Sequence, residues 1–224
     1  MTAAGSTSLR LHLGCGEQYL DGYLNVDFPP SEHSVQTTSV ADEMADITQL
    51  SYPEGSVAEI RLHHVFEHFD RPTALRLLVD WRTWLAPGGE LVIETPDFER
   101  CARAFSRRIG FRRRRGVLLR HMFGSHEAGW AVHWDGWYEG RYRETLGALG
   151  YGDLRFERSS WRGTYNITAR ARPDGTARTR DELLAAAGQL LRTSLVDDGV
   201  SELRLLEHWV SELRATPAEP SATR

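Results

Sequence analysis

Lysine is absent from this chain of 224 residues, in which all 27 basic residues are arginine. The absence excludes every mechanism that needs a lysine amine, such as a Walker-type phosphate site, a pyridoxal Schiff base or a lysine general base. A proton acceptor in this protein is therefore a His, Asp, Glu or Tyr side chain.

Cysteine and long apolar runs are also scarce. Cys15 and Cys101 are too few for a disulfide framework, and neither lies in a CxxC pair of the metal-binding kind. No apolar run approaches the length of a membrane span, and the first residues lack the pattern of a signal peptide. We therefore expect a cytoplasmic protein with no membrane partner, and the net charge of −4 gives no reason to expect nucleic acid.

The stretch from Leu9 to Asp27 predicts a ligand-binding loop between two strands. Apolar and polar residues alternate over Leu9–Leu13, which is typical of a strand. Gly14-Cys15-Gly16 follows, and glycine lets a ligand approach the backbone closely because no Cβ intervenes. A second apolar run ends at Asp27, where a carboxylate can accept hydrogen bonds from a ribose diol.

The spacing in this stretch disfavours a dinucleotide. The G-x-G-x-x-G fingerprint needs a third glycine, and Tyr19 stands at that position. Asp27 follows Gly16 by eleven residues, whereas the fingerprint places its acid about twenty residues on. A ligand with a nucleoside and no pyrophosphate remains possible, as does an ordinary strand-turn-strand without a ligand.

Further segments predict an alternation of strands and helices. Strands are expected at Met44–Ile47, Val57–Val65 and Glu90–Thr95, and a hairpin at Leu154–Trp161 and Thr164–Arg172. Helices are expected after Asp70, from Pro96 to about Arg108, and over Tyr138–Leu149. Trp81 and Trp84 fall on the apolar stripe of the first helix, so we predict that both belong to the core.

The motifs LGCG and NVD, together with the run ADITQLSYPEGSVAEIRLHHVFEHF, resemble class I S-adenosylmethionine-dependent methyltransferases. The compressed spacing is similar to the branch found beside glycan and natural-product genes. The resemblance spans about residues 8 to 172. It implies an α/β fold with a Rossmann-like, doubly wound sheet of about seven strands, mostly parallel with an antiparallel last strand. We expect a core domain over residues 1–175 and a C-terminal helical appendage with a flexible tail over residues 176–224.

The resemblance also implies the cofactor and the residues that contact it. The cofactor would be S-adenosylmethionine, with S-adenosylhomocysteine as its product. Asp46 would accept a hydrogen bond from the adenine amine, and Ile47 would pack on the adenine ring. The predicted cofactor contacts are Leu13, Gly14, Cys15, Gly16, Gln18, Asp27, Asp46, Ile47 and His63.

Residues 121–137 predict an irregular binding loop over the substrate, because the stretch is rich in Trp and His and has neither helical nor strand periodicity. Trp faces suit a sugar or an aminocyclitol, and acids could hold a cationic amino sugar. The predicted substrate contacts are Tyr19, Glu67, His126, Trp130, Trp134, Asp135 and Trp137. The alternative is that two of the three Trp residues belong to the core.

Methyl transfer needs an acceptor lone pair, so a base must be considered, and histidine titrates nearest to neutral pH. We predict His133 as the base, with His64 as its rival; either could instead be a hydrogen-bonded structural residue. His64 and His68 have i,i+4 spacing around Glu67, but the order differs from H-E-x-x-H and no third ligand is evident. We therefore predict no metal.

These residues together predict N-methylation of an amino group in a small polar natural product, such as an amino sugar or an aminoglycoside antibiotic intermediate. The alternatives are sugar O-methylation, a nucleoside-binding module without turnover, and a nucleotide-sugar enzyme with another cofactor.

Two further segments have no assigned role in this chemistry. The run from Arg107 to Arg120 holds seven arginines and no acid, which is typical of a solvated face, with a phosphate clamp as the alternative. The amphipathic segments Asp181–Leu191 and Ser201–Leu213 could pack on their own core, form a homodimer contact or close the substrate site.

Overall fold

The computed structural model describes residues 9–33, 35, 38–107 and 112–215, together with the backbone but not the side chains of Arg112 and Arg113. Residues 1–8, the end of the predicted flexible tail, and part of the Arg107–Arg120 run lie outside the described residues.

Seven strands form one sheet in the described part of the chain. The spatial order is β3-β2-β1-β4-β5-β7-β6; β7 is antiparallel to both β5 and β6, and the other pairs are parallel. The predicted mostly parallel, doubly wound sheet with an antiparallel last strand is confirmed. The strands are β1 Leu9–Leu13, β2 Leu24–Asp27, β3 Glu43–Met44, β4 Val57–His63, β5 Leu85–Pro96, β6 Tyr151–Trp161 and β7 Thr164–Pro173.

Six α-helices accompany the sheet in the same part of the chain. Asp70 caps α1 by accepting the Thr73 N–H at 2.9 Å, and Trp81 and Trp84 of that helix are buried as predicted. None of the helices in the described ranges is long and apolar enough to cross a membrane. The helices are α1 Arg71–Trp84, α2 Phe98–Ser106, α3 Arg112–Phe123, α4 Glu139–Ala148, α5 Arg180–Arg192 and α6 Val200–Arg214.

Local structure differs from the sequence prediction at three places. The predicted strand Met44–Ile47 stops at Met44, because Asp46 caps a 3-10 turn over Ile47–Gln49 by accepting the Thr48 N–H at 2.8 Å. The predicted irregular loop begins later than expected, since α3 continues to Phe123. Strand β5 is longer than predicted and begins at Leu85, before Pro87-Gly88-Gly89.

Helices α5 and α6 pack against α1. Leu183, Ala187 and Leu191 of α5 and Leu213 of α6 are each at most 1% exposed and belong to the main core cluster. The C-terminal segments therefore pack on the protein's own core. The division into a domain over 1–175 and an appendage over 176–224 stays a prediction.

A charged cluster on β1 and β4 stabilises the strands that carry the loops described below. Glu59 is nearly buried and accepts hydrogen bonds from Arg10, Tyr23 and Arg61. Burial alone would raise the pKa of Glu59, but the hydrogen bonds from Arg10, Tyr23 and Arg61 outweigh it and lower the pKa. The ionised carboxylate therefore stabilises the folded state.

We expect Glu59→Gln to lower the free energy of unfolding at pH 7 by ~1–3 kcal/mol, because it weakens hydrogen bonds to two guanidinium groups. The folded pKa lies below the ordinary value of 4.5, so this contribution is present above that pH and disappears as the pH falls further. Urea unfolding at pH 7 and pH 4 measures both effects. Glu54→Gln, at an exposed turn, is the matched control and should change little; equal losses in the two variants would contradict the assignment.

Candidate functional site

The glycine loop after β1 is held against the end of β2. The N–H groups of Gly14 and Cys15 both donate to the Val26 carbonyl oxygen, at 2.8 and 3.1 Å. Gly14 has φ +68°, and a Cβ placed there would lie 2.3 Å from Val65 Cγ2. Burial raises the pKa of the Cys15 thiol to about 11, which fits a packed residue and not a nucleophile.

Asp27 ends β2 and fixes the same loop from the other side. One carboxylate oxygen accepts the Gly16 N–H, and the other accepts the Phe28 N–H at 2.7 Å. His33 Nε2 lies 3.6 Å from the latter oxygen. The carboxylate predicted to bind a ribose thus also shapes the loop that would receive the rest of the ligand.

A cavity of about 910 Å³ opens at the carboxyl ends of β1, β2 and β4. Open α/β sheets bind ligands at this edge. All predicted cofactor residues line the cavity except Leu13, which is fully buried in the core. The predicted residues on the wall are Gly14, Cys15, Gly16, Gln18, Asp27, Asp46, Ile47 and His63.

Several wall residues were not predicted from the sequence, among them His12, Phe28, His33 and Phe69. His12 Nδ1 forms a hydrogen bond of 2.9 Å with Asn25 Oδ1, and its ring packs edge-on against His63 at 5.8 Å. Burial, the largest influence, lowers the pKa of His12. Its position in the alternating Leu9–Leu13 strand was the available signal, because a polar residue between core leucines faces the opposite side of the sheet.

The same cavity is also lined by His64 and His68, which follow β4, and by Glu127 and Trp130 of the loop after α3. Trp130 Nε1 donates to the Glu32 carbonyl oxygen at 2.6 Å. Its ring packs edge-on against His33 and His68, with centroids 5.2 and 5.8 Å away. Trp130 is thus a fixed aromatic wall of this cavity.

The other residues predicted to contact substrate lie elsewhere. Tyr19 and Trp134 are 51% and 61% exposed and do not line the cavity. His126 is exposed, and its ring hydrogen-bonds the Phe123 carbonyl oxygen at 2.9 Å. These three positions are therefore surface positions in the structure.

Trp137 and Asp135 contact other parts of the protein itself. Trp137 is 2% exposed and stacks on Tyr142 with centroids 4.9 Å apart, so the structure gives it a packing role. Asp135 pairs with Arg141 at 2.6 Å and with Arg71 at 3.1 Å. Its charge is neutralised within the chain, which leaves it no free carboxylate for a substrate.

Glu67 lies beneath the His64 and His68 side of the cavity, with a side chain that is 2% exposed. His64 Nδ1 lies 3.4 Å and His133 Nε2 3.9 Å from Glu67 Oε1. The rings of His68 and His133 meet edge-on with centroids 4.7 Å apart. We call Glu67, His68 and His133 the Glu67 cluster. Burial alone would raise the pKa of Glu67, but the neighbouring histidines outweigh it and lower the pKa.

The two histidines predicted as bases differ in their charge. Burial opposes protonation of His64, but Glu67 and Glu94 on its two sides raise its pKa to about 10. Burial of His133 lowers its pKa to about 4 despite the nearby Glu67. His64 is therefore a cation and His133 a neutral ring at pH 7, and neither pKa lies near the working pH that favours a general base.

No family model matches this chain, and no curated protein matches it. Solved structures match at low identity. A chain in the complex between the Haloferax volcanii Trm112 methyltransferase activator and a candidate methyltransferase is 13% identical with a TM-score of 0.52, covering 79% of this chain and 86% of that one. At this identity the likeness concerns the fold alone.

Two further matches have TM-scores below 0.5. The 1,6-didemethyltoxoflavin-N1-methyltransferase of Burkholderia thailandensis, solved with 1,6-didemethyltoxoflavin and S-adenosylhomocysteine, is 13% identical with a TM-score of 0.49, covering 74% of this chain and 70% of that one. Human N-acetylserotonin methyltransferase, solved with S-adenosylmethionine, is 16% identical with a TM-score of 0.44. The match covers 74% of this chain and 47% of the human one.

We expect Gly14→Ala to destabilise the fold through two separable effects. Positive φ costs an alanine ~1–2 kcal/mol, and the close approach to Val65 adds ~1–3 kcal/mol of overpacking. Gly55→Ala is the matched control, because Gly55 has φ +66° and a Cβ added there would meet no atom within 4 Å. Thermal and urea unfolding should show a larger loss for Gly14→Ala, and adding Val65→Ala should recover part of the difference. Equal losses at both glycines would contradict the close contact.

Proposed function

We propose that this chain is an S-adenosylmethionine-dependent methyltransferase that N-methylates an amino group of a small polar molecule, of the saccharide or aminocyclitol class found in aminoglycoside antibiotic intermediates. The observation that carries the proposal is one cavity whose wall holds two chemically different groups of residues. The first group is the glycine loop with Asp27 and Asp46, and the second group is Glu127 and Trp130. A donor and an acceptor can therefore meet in the same space.

The glycine loop, Asp27 and Asp46 suit the nucleoside part of the cofactor. Gly14 and Gly16 expose backbone toward the cavity, and Asp27 stands at the end of β2 where a ribose diol would be received. Asp46 Oδ1 accepts from the N–H and the hydroxyl of Thr48, both at 2.8 Å, which fixes the carboxyl group beside Ile47. The orientated Asp46 carboxylate suits the adenine amine, and the apolar Ile47 side chain suits the adenine ring.

Trp130 and Glu127 suit a cationic or hydroxylated acceptor. The face of Trp130 can pack on sugar C–H groups and attract an ammonium group, and Glu127 adds an acid to the same wall. An ammonium group gains from both contacts, whereas a hydroxyl gains only from packing and hydrogen bonds. This difference favours N-methylation over sugar O-methylation, which stays the alternative, as does a nucleoside-binding module without turnover.

The reaction itself needs alignment and a free lone pair. The acceptor nitrogen must lie on the line of the methyl–sulfur bond, and orientation of this kind supplies much of the rate. Its ammonium proton must leave before attack. His133, predicted as the base, and its rival His64 both flank Glu67, and of these two histidines His64 lines the cavity. We propose that this task falls to the Glu67 cluster as a unit.

Several finer predictions from the sequence accompany this proposal. They are a cytoplasmic location, the absence of a nucleic-acid partner, and a homodimer through the C-terminal helices. Gel filtration coupled to light scattering tests the dimer.

We expect Asp27→Asn to weaken binding of S-adenosylhomocysteine by roughly 10- to 100-fold, because a charged acceptor of hydrogen bonds typically contributes ~1.5–3 kcal/mol. Titration calorimetry with purified protein measures the affinity, and the unfolding midpoint reports whether the fold is kept. Asp21→Asn, at an exposed position outside the cavity wall, is the matched control. Wild-type affinity in a folded Asp27→Asn variant would contradict the assignment of Asp27 to the cofactor site.

We expect Trp130→Leu to raise KM for the amine acceptor by roughly 10-fold or more, since a desolvated cation–π contact is worth ~1–2 kcal/mol. The acceptor is found first by screening amino sugars, aminocyclitols and their hydroxyl counterparts for release of S-adenosylhomocysteine. Trp134→Leu is the control, because that ring is exposed and outside the cavity wall.

The same screen decides among the alternatives. Turnover restricted to hydroxyl compounds would replace N-methylation by O-methylation. Cofactor binding without turnover on any member of either set would favour the binding module. An equal change of KM in the Trp130 and Trp134 variants would contradict the placement of the acceptor.

A further inference from the structure

The Glu67 carboxylate is buried and has histidine neighbours, but it lacks hydrogen bonds. Neither of its oxygens accepts a hydrogen bond from any residue that the structure describes. The nearest nitrogens, His64 Nδ1 and His133 Nε2, lie at 3.4 and 3.9 Å, which is too long for good hydrogen bonds. A buried carboxylate normally pairs with hydrogen-bond donors or coordinates a metal. The protonated His64 ring is the nearest cation, but no described residue donates a hydrogen bond to either carboxylate oxygen, which leaves both oxygens able to coordinate a metal ion.

The cluster around this carboxylate provides three ligand atoms at one point. One atom each from Glu67, His68 and His133 lies within 4.8 Å of the other two. His133 Nδ1 is also buried without a hydrogen-bond partner in the described ranges. Two of the three side chains thus hold polar atoms that the rest of the described chain leaves unsatisfied.

His68 is orientated as metal-binding histidines are. Its Nδ1 lies 3.1 Å from the Val132 carbonyl oxygen, so Nδ1 carries the hydrogen and donates it. The lone pair is then on Nε2. A hydrogen bond from the other ring nitrogen to a carbonyl is the usual arrangement that fixes the tautomer of a ligating histidine.

Long-range backbone hydrogen bonds bring the third ligand to the other two. Glu67 and His68 lie on the 3-10 turn Phe66–His68 that follows β4. The Trp134 N–H donates to the Glu67 carbonyl oxygen at 2.9 Å, and the His133 N–H donates to the Phe123 carbonyl oxygen at 3.1 Å. These bonds hold His133 over the turn. The sequence pattern alone predicted no metal because its third ligand was not recognisable.

We propose that Glu67, His68 and His133 bind one divalent transition-metal ion of the Zn²⁺ class. Two imidazoles and one carboxylate form a ligand set that suits Zn²⁺, Co²⁺ or Ni²⁺, whereas Mg²⁺ and Ca²⁺ prefer oxygen ligands alone. Three protein ligands leave a coordination position for water or a substrate atom. His68 lines the cavity, so this position is expected on the acceptor side.

Binding of the ion does not depend on the proposed function, but its role in methyl transfer does. Zn²⁺ lowers the pKa of a bound water to about 7, which would provide a proton acceptor next to the amine. The ion would then carry out the task assigned above to the cluster. Metal binding and turnover are measured separately, so the failure of one is distinguishable from the failure of the other.

The test uses untagged full-length protein that has been stripped with a chelator and titrated with Co²⁺, followed by visible absorption. We expect one Co²⁺ per chain, with the absorption bands of a tetrahedral or five-coordinate ion, and displacement by Zn²⁺. Glu67→Gln and His68→Gln should each weaken binding by on the order of 100-fold, because each removes one of three ligands. His208→Gln, at an exposed position on α6, is the matched control and should bind as the wild type does.

The thermal unfolding midpoint serves as the check of folding, and His68→Gln provides the comparison if Glu67→Gln does not fold. The site is refuted where the wild type binds no Co²⁺, or where both cluster variants bind it as tightly as His208→Gln does. A chain that binds Co²⁺ through the cluster but releases no S-adenosylhomocysteine with any acceptor keeps the site and refutes the function.

Discussion

The close contact between Gly14 and Val65 is the constraint on which the rest of the site depends. Strands β1 and β4 are parallel neighbours, so the loops that follow them leave the sheet at the same edge. A side chain at position 14 would meet Val65, and its absence lets the two loops pack directly. The first loop then reaches Asp27, and the second continues into the turn that carries Glu67. Both loops therefore depend on one contact, between the Gly14 backbone and the Val65 side chain.

The acids of the site show how burial separates a structural charge from one that needs a ligand. The Asp135 side chain is 7% exposed but meets two guanidinium groups at short distances, so its charge is neutralised inside the chain. Glu67 is buried more deeply and meets only imidazoles at 3.4 Å or more among the described residues. His64 is the cation next to Glu67, but its nitrogen lies farther from the carboxylate than the guanidinium nitrogens lie from Asp135. Sequence spacing treats these two acids alike, and only their surroundings show that Asp135 has short ionic contacts while the Glu67 oxygens accept no hydrogen bond from a described residue.

The sequence predicted the cavity wall correctly where the wall residues lie close together in the chain. The glycine loop, Asp27 and the Asp46-Ile47 pair follow one another closely in the chain, and strand alternation places them at one edge of the sheet. Trp137 shows the limit, because its aromatic neighbourhood in the sequence suggested a substrate contact while stacking on Tyr142 buries it. The burial of Trp137 depends on packing across the fold, which the spacing of residues in the sequence does not predict. The position of His133 next to Glu67 was equally unpredictable from spacing, because backbone hydrogen bonds between distant parts of the chain hold it there.

Two parts of the cavity wall depend on the sheet to different degrees. The glycine loop and Asp27 lie at strand ends and in short loops, whose positions the parallel strands fix. The wall residues after α3 lie in a loop whose position is set by bonds such as Trp134 N–H to the Glu67 carbonyl oxygen and Trp130 Nε1 to the Glu32 carbonyl oxygen. These bonds need particular side chains and loop lengths, which a common sheet does not impose. The identity of the acceptor must therefore be sought in the chemistry of Trp130, Glu127 and the Glu67 cluster, and not in the fold.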